Sequence, residues 1–95
     1  MRPLRILIVD DLPVNLKLLR AQLESEGHVV VDAANGVEAL AILADQKIEA
    51  IVSDILMPVM DGYRLCYEVR HDPRFRKLPF IAYTASYLSP ADEKL

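Results

Sequence analysis

Several features that mark secreted, membrane-spanning or nucleic-acid-binding proteins are scarce in this sequence. The one cysteine, Cys66, excludes an internal disulfide bond and is typical of a reducing compartment. The net charge is −3, and positive and negative residues are interspersed along the chain. The sequence therefore has no excess of basic residues that would bind nucleic acid or an anionic membrane. The apolar runs are far too short to span a bilayer, and residues 1–5 lead straight into a strand-like run rather than into a signal peptide. The sequence therefore predicts a cytoplasmic protein that binds neither membrane nor nucleic acid.

What the sequence does have is a globular composition over the length of one domain. Of its 95 residues, 53% are apolar and 26% are charged, and the prolines and glycines fall between periodic segments. There are no internal repeats and no linker. A chain of this length buries only about 60–65% of the surface that its unfolded form exposes. We therefore expect a single domain over residues 1–95 with modest stability.

Apolar runs of strand length alternate with amphipathic segments of helix length. The predicted strands cover residues 5–10, 28–33, 49–54 and 79–83. The first run is apolar at consecutive positions, which is typical of a central strand covered on both faces. This alternation indicates βαβ units around a parallel sheet. Right-handed crossovers in a doubly wound sheet then give the strand order 2-1-3-4.

The segments between these strands carry helix signals. Pro13 suits the first turn of a helix, and Gly27 suits its end. Asn35 opens the second helix, followed three residues later by Glu38 as in a capping box. The third helix covers about residues 61–70. The residues predicted to form the buried faces are Leu12, Leu16, Leu19 and Leu23 on the first helix, Val37, Leu40, Ala41 and Ala44 on the second, and Leu65 and Val69 on the third.

Two of the predicted strands end in carboxylates. Asp10 and Asp11 close the first strand, and Asp54 closes the third. Because these strands are neighbours in the predicted order, the three side chains converge, and their like charges call for a divalent cation. A carboxylate held beside a hard cation can act as a nucleophile toward phosphorus. The pattern therefore predicts phosphoryl transfer to Asp54, with Thr84 close by at the end of the fourth strand.

Four motifs resemble those of the receiver domains of two-component response regulators, and together they extend over the whole chain. They are Val9-Asp10-Asp11 after the first strand, Asn35-Gly36-x-Glu38-Ala39-Leu40 in the second helix, Asp54-x-x-Met57-Pro58-x-Met60-Asp61-Gly62 around the third strand, and Thr84-Ala85 after the fourth. The resemblance implies a flavodoxin-like, doubly wound parallel sheet and a phosphoprotein of phosphorelay signal transduction. The resemblance implies a signalling domain, not an enzyme, and this domain takes part in its own phosphorylation and dephosphorylation.

The resemblance also implies a role for each of the three carboxylates, and for Leu56 and Thr84. Asp54 is similar to the phosphoacceptor, which takes a phosphoryl group from a histidine kinase or a histidine phosphotransfer protein. Asp11 is similar to the residue that binds Mg²⁺ directly, and Asp10 to its companion, which acts largely through bound water. Leu56 stands at the position whose backbone carbonyl binds the metal. Thr84 resembles the switch hydroxyl that turns toward the attached phosphoryl group.

The loop after Asp54 is predicted to take its shape from Met57, Pro58 and Gly62. Proline fixes φ, and glycine permits a tight turn into the next helix. Asn15, on the first helix, has no predicted role and is expected to be solvated.

One residue that is usual in receivers is missing. In the family a lysine at the end of a fifth strand contacts the phosphoryl oxygens, whereas only residues 85–95 follow Thr84 here, with a helix start predicted at Ser89. A crossover to another parallel strand takes a dozen or more residues. We therefore predict a C-terminally truncated receiver that lacks the fifth strand and the last helix. The fourth strand is then a bare edge, and we expect copies of the chain to associate through this edge or through the face of the first helix.

Two alternative functions stay open. A degenerate receiver would act only as a binding module, and the missing lysine favours that alternative. An Mg²⁺-dependent aspartate-nucleophile phosphatase is less favoured, because that class resembles Asp-x-Asp-x-Thr after the first strand. This chain has Asp10-Asp11-Leu12-Pro13 there, and its candidate nucleophile follows the third strand.

Overall fold

A four-stranded parallel sheet organises the chain, as the computed structural model shows for residues 2–84, the part of the chain that the structure describes. The elements in order are β1 (Arg5–Val9), α1 (Pro13–Ser25), β2 (Val29–Ala33), α2 (Gly36–Asp45), β3 (Ala50–Asp54), α3 (Gly62–Arg70) and β4 (Phe80–Tyr83). The sheet has the order β2-β1-β3-β4, and every pair of neighbours is parallel. The predicted order 2-1-3-4 is therefore confirmed.

The boundaries differ from the predicted ones by small amounts. Each predicted strand is one residue longer than the observed strand, and α1 ends at Ser25, two residues before Gly27 with its φ of 93°. The helix start predicted at Ser89 lies outside the described residues. Among residues 2–84, no helix combines the length and the apolar character needed to cross a membrane.

The sheet is covered on both faces, which explains why β1 is apolar at consecutive positions. Successive side chains of a strand point to opposite faces. Leu7 and Val9 accordingly pack with the buried residues of α2 and α3, whereas Ile6 and Ile8 pack against α1. The core residues on the α2–α3 side include Ala39, Leu43, Ile51, Leu65 and Val69. The predicted pair Leu65 and Val69 is thus confirmed.

The prediction for α1 is right for three of its four leucines. Leu16, Leu19 and Leu23 pack against the sheet, but Leu12 is 41% exposed. Leu12 is the N-cap residue of α1, and its extended backbone (φ −98°, ψ 115°) places it before the helix rather than on its buried face.

The predicted buried face of α2 is wrong, because a different side of this helix packs against the sheet. The buried residues are Gly36, Ala39 and Leu43, with Leu40 partly buried, while Val37, Ala41 and Ala44 are exposed. This helix is rich in alanine and other apolar residues almost all round, so its pattern does not select one face. Its start does confirm the predicted cap, because the Asn35 side chain accepts a hydrogen bond from the Glu38 N–H at 2.9 Å.

The strand β4 pairs only with β3 and forms the edge of the described sheet. Ile81 is 58% exposed on this strand, and Leu18 is 65% exposed on α1. Both surfaces are those through which we expect copies of the chain to associate, and that association stays a prediction.

Gly62, at the start of α3, lies against the backbone that follows β3. Its N–H donates to the Ile55 carbonyl at 2.9 Å, and a Cβ atom here would lie 2.5 Å from the Asp54 carbonyl oxygen and 2.8 Å from the Ile55 Cα. The left-handed conformation in this loop belongs instead to Val59, with φ of 67°. Glycine is therefore required at position 62 by close approach, not by the turn conformation that the sequence suggested.

We expect Gly62→Ala to lower the free energy of unfolding by about 1–3 kcal/mol, since backbone atoms must move to admit the methyl group. Gly36→Ala is the matched control, because the atoms its Cβ would meet all belong to the flexible Met60 side chain. Urea denaturation of both variants measures the difference. Equal losses for the two variants would contradict this account of Gly62.

Candidate functional site

The strand register brings three carboxylates to one end of the sheet. Asp54 is the last residue of β3, Asp10 directly follows β1, and Val9 is paired with Ser53 between the two strands. Asp10, Asp11 and Asp54 each offer an oxygen, and these oxygens all lie within 4.8 Å of one another. The cluster stands beside the point where the strand order reverses, which is the usual binding position in doubly wound sheets.

Burial raises the free-energy cost of placing three carboxylates together in this cluster. The side chains of Asp10 and Asp54 are fully buried, and Asp11 is half-buried. Within residues 2–84, the Oδ1 atom of Asp11 is the buried side-chain polar atom with no hydrogen-bond partner. A buried carboxylate oxygen without a donor is costly. The possible metal ligands of the cluster are all carboxylate oxygens, and one of them has no hydrogen bond. Such a set of ligands fits a hard divalent cation such as Mg²⁺.

Asp10 differs from Asp11 because donors surround it. Its Oδ1 accepts from the Leu12 N–H at 2.9 Å. Its Oδ2 accepts from the Asn15 side-chain amide at 3.0 Å and from the Tyr83 hydroxyl at 2.6 Å. Two hydrogen bonds from the start of α1 and one from β4 therefore fix the orientation of this carboxylate.

Sequence reasoning missed Asn15 and Tyr83. Asn15 was expected to be solvated, but it lies in the first turn of α1 and its amide reaches back to Asp10. Tyr83 is paired with Asp54 in the β3–β4 register, and its long side chain reaches past that strand to Asp10. The spacing of Asn15 from Asp10 could have suggested the first contact, whereas no local signal indicates the second.

The environment of Tyr83 keeps its hydroxyl protonated. Burial raises the pKa of Tyr83 well above its ordinary value, and the hydrogen bond to Asp10 and the negative charges of the cluster raise it further. At neutral pH the phenol is therefore a hydrogen-bond donor toward Asp10.

The loop after β3 surrounds Asp54. The Leu56 N–H donates to the Asp54 Oδ1 at 3.2 Å, while the Leu56 side chain is 58% exposed. Met57 is buried in the core and anchors the loop, and Pro58 next to it is exposed. The carbonyl role expected for Leu56 stays a prediction.

Thr84 follows β4 directly and is exposed in this structure. The end of the neighbouring strand β3 carries Asp54 opposite Tyr83, so Thr84 lies one residue beyond the level of that pair. Its expected role as a switch hydroxyl stays a prediction.

Fold and site together define a doubly wound α/β domain with a cluster of three carboxylates, suited to a metal ion, beside the point where the strand order reverses. The sequence model of one protein family, the response regulator receiver domain, matches residues 6–93 of the chain. The chain therefore belongs to this family. The resemblance seen in the motifs is thereby confirmed.

Relatives and solved structures agree with this membership. The chain is 41% identical over 81 residues to the response regulator PleD of Caulobacter vibrioides, and 45% identical over 89 residues to the sensor histidine kinase RcsC of Escherichia coli. The receiver domain of the sensor histidine kinase PA1611 from Pseudomonas aeruginosa, solved with a magnesium ion coordinated in its active-site cleft, shares 37% identity at a TM-score of 0.82.

The matched regions cover most of this chain but only part of its relatives. They amount to 85% of this chain and 18% of PleD, 94% of this chain and 9% of RcsC, and 97% of this chain and 75% of the PA1611 receiver domain. The chain thus spans less than a fifth of the length of PleD and of RcsC.

The raised pKa of Tyr83 gives a pH prediction. An unfolded tyrosine ionises near pH 10, so the stability that this phenol contributes is present in full below about pH 10 and is lost at higher pH, where only the unfolded chain releases the proton. In an absorbance titration of the folded protein, wild type and Tyr83→Phe should therefore show the same tyrosinate signal near pH 10.

The control for this titration is the same pair of proteins unfolded in urea, where the ring of Tyr83 meets solvent. There Tyr83→Phe should show the signal of one tyrosine less than wild type near pH 10. The same difference between the folded proteins would contradict the buried, hydrogen-bonded state of Tyr83.

Proposed function

We propose that this chain is a phosphoacceptor domain of a two-component phosphorelay, with Asp54 as the phosphorylated residue. The observation that carries the proposal is the convergence of Asp10, Asp11 and Asp54 within 4.8 Å, with the buried Asp11 Oδ1 lacking a hydrogen-bond partner. In the proposal, Asp11 would bind Mg²⁺ directly, together with Asp54 and the Leu56 carbonyl, and Asp10 would act largely through bound water. The solved PA1611 receiver domain, with a magnesium ion in its active-site cleft, supports the choice of Mg²⁺ as the cation.

The proposed reaction is transfer of a phosphoryl group from a phosphohistidine to Asp54. An Asp54 carboxylate oxygen forms the new bond to phosphorus while the phosphorus–nitrogen bond breaks, and that electron pair returns to the imidazole of the donor. Bound Mg²⁺ supplies charge neutralisation for the phosphoryl oxygens. The chain supplies positioning: the Leu56 N–H orients the Asp54 carboxylate, and burial of Asp54 limits access of water. Thr84 is the proposed hydroxyl donor to the attached phosphoryl group.

The proposed partners are a histidine kinase or a histidine phosphotransfer protein, acting in the cytoplasm. The similarity to part of the sensor histidine kinase RcsC supports a kinase pathway of this kind. Phosphorylation once per cycle makes this a signalling domain rather than an enzyme with turnover. The phosphatase alternative is disfavoured because Asp54 stands at the end of β3 and not at the end of β1.

Asp54 should be the sole acylphosphate site when the protein receives acetyl phosphate and Mg²⁺. Borohydride trapping followed by mass spectrometry locates the label, and Asp54→Asn should lose it. Asp61→Asn is the matched control, because Asp61 is an exposed acid in the same loop whose carboxylate caps α3 by accepting from the Arg64 N–H at 2.8 Å.

Labelling at Asp10 or Asp61 in place of Asp54 would overturn the assignment. No label with any phosphodonor tried would instead favour a degenerate receiver that acts only as a binding module.

A further inference from the structure

The three carboxylates of the acidic cluster are not equivalent. Asp10 is fully buried and accepts three hydrogen bonds, two of them at Oδ2, whereas Asp11 keeps a buried oxygen without a donor. Donors from α1 and from β4 thus restrain the Asp10 carboxylate. The Asp11 oxygen has no such donor and is available to bind a cation.

We propose that Tyr83 and Asn15 are positioning residues that restrain Asp10 from direct metal coordination and so make the site favour Mg²⁺ over Ca²⁺. The inference rests on the proposed function, because it concerns the cation of the same site. It adds two residues to which the motifs of the chain assign no role.

The coordination chemistry of the two cations supplies the physical reason. Mg²⁺ demands near-octahedral geometry at short distances, gives up its water reluctantly and needs only one or two carboxylates. Ca²⁺ takes six to eight oxygens and accepts carboxylates in flexible, often bidentate geometry. A site in which Asp10 is restrained offers few direct ligands, which suits Mg²⁺. A site in which Asp10 can rotate offers an additional and adaptable ligand, which suits Ca²⁺.

The surroundings of Tyr83 and Asn15 fit a restraining role. Both residues line a mostly apolar groove between α1 and β4, together with Leu18, Leu19 and Gln22. Their polar ends meet at the same Asp10 oxygen. Because Tyr83 and Asn15 come from different elements, their two bonds constrain the carboxylate from two directions.

The experiment is calorimetric titration of Mg²⁺ and Ca²⁺ into the whole chain, at one pH and ionic strength. A hydrogen bond to a charged group is equivalent to roughly tenfold or more in an equilibrium constant. We therefore expect Tyr83→Phe to shift the ratio of the two affinities toward Ca²⁺ by about tenfold. Asn15→Ala should shift it in the same direction, and it provides an independent test if Tyr83→Phe folds poorly.

Two controls isolate the hydrogen bonds to Asp10. Tyr67→Phe removes a phenol hydroxyl from α3 and leaves the ring that stacks on His71. Gln22→Ala changes the lining of the same groove on α1. Neither should move the affinity ratio. Parallel losses of both cations in Tyr83→Phe and Asn15→Ala, or unchanged ratios, would overturn the proposal, since a purely structural role lowers both affinities together.

A second readout separates this inference from the proposed function. If the wild type bound neither cation, the proposed function would fail. NMR of the metal-free protein would then test the positioning itself. A slowly exchanging Tyr83 hydroxyl proton, together with an Asp10 carboxyl carbon shift that changes in Tyr83→Phe, supports the restraint. A rapidly exchanging hydroxyl and an unchanged Asp10 carbon overturn it.

Discussion

The mutual repulsion of three carboxylates at the ends of β1 and β3 is the interaction on which the rest of the site depends. Their oxygens lie within 4.8 Å of one another, and at that upper limit one pair of unit charges repels by roughly 3–4 kcal/mol if the effective dielectric constant is about 20. A domain has only about 5–15 kcal/mol of net stability, so this repulsion matters. The Asp10 hydrogen bonds offset part of it, and the unpartnered Asp11 oxygen leaves a part that a bound cation can offset.

The fold is organised so that this costly arrangement is held in place. The apolar strand β1 is buried on both faces, and the parallel register with β3 sets Asp10 beside Asp54. The loop after β3 is fixed from two sides, because Met57 is buried in the core and Gly62 packs directly on the backbone of Asp54. Stability is therefore supplied by the core and the loop contacts, while the repulsion among the clustered carboxylates opposes it.

Much of this could be predicted from the sequence, because the relevant signals are local. A continuous apolar run and the acids that follow it identify both the strand and the site at its end. The parts that could not be predicted depend on tertiary packing. The side of α2 that is buried, shown by Ala39 and Leu43, is not selected by a helix that is apolar almost all round. The contact of Tyr83 with Asp10 joins residues 73 positions apart, and nothing in the sequence near either residue signals it.

The dependence of folding stability on Mg²⁺ tests the central claim most directly. A cation that binds only the folded chain stabilises it by mass action, by about 2.7 kcal/mol at a concentration one hundred times the Kd. Urea denaturation at constant ionic strength should therefore show the free energy of unfolding rising with Mg²⁺ in the wild type and not in Asp11→Ala. The same Mg²⁺ dependence in both proteins, or none in the wild type, would contradict the claim that the clustered carboxylates form a cation site.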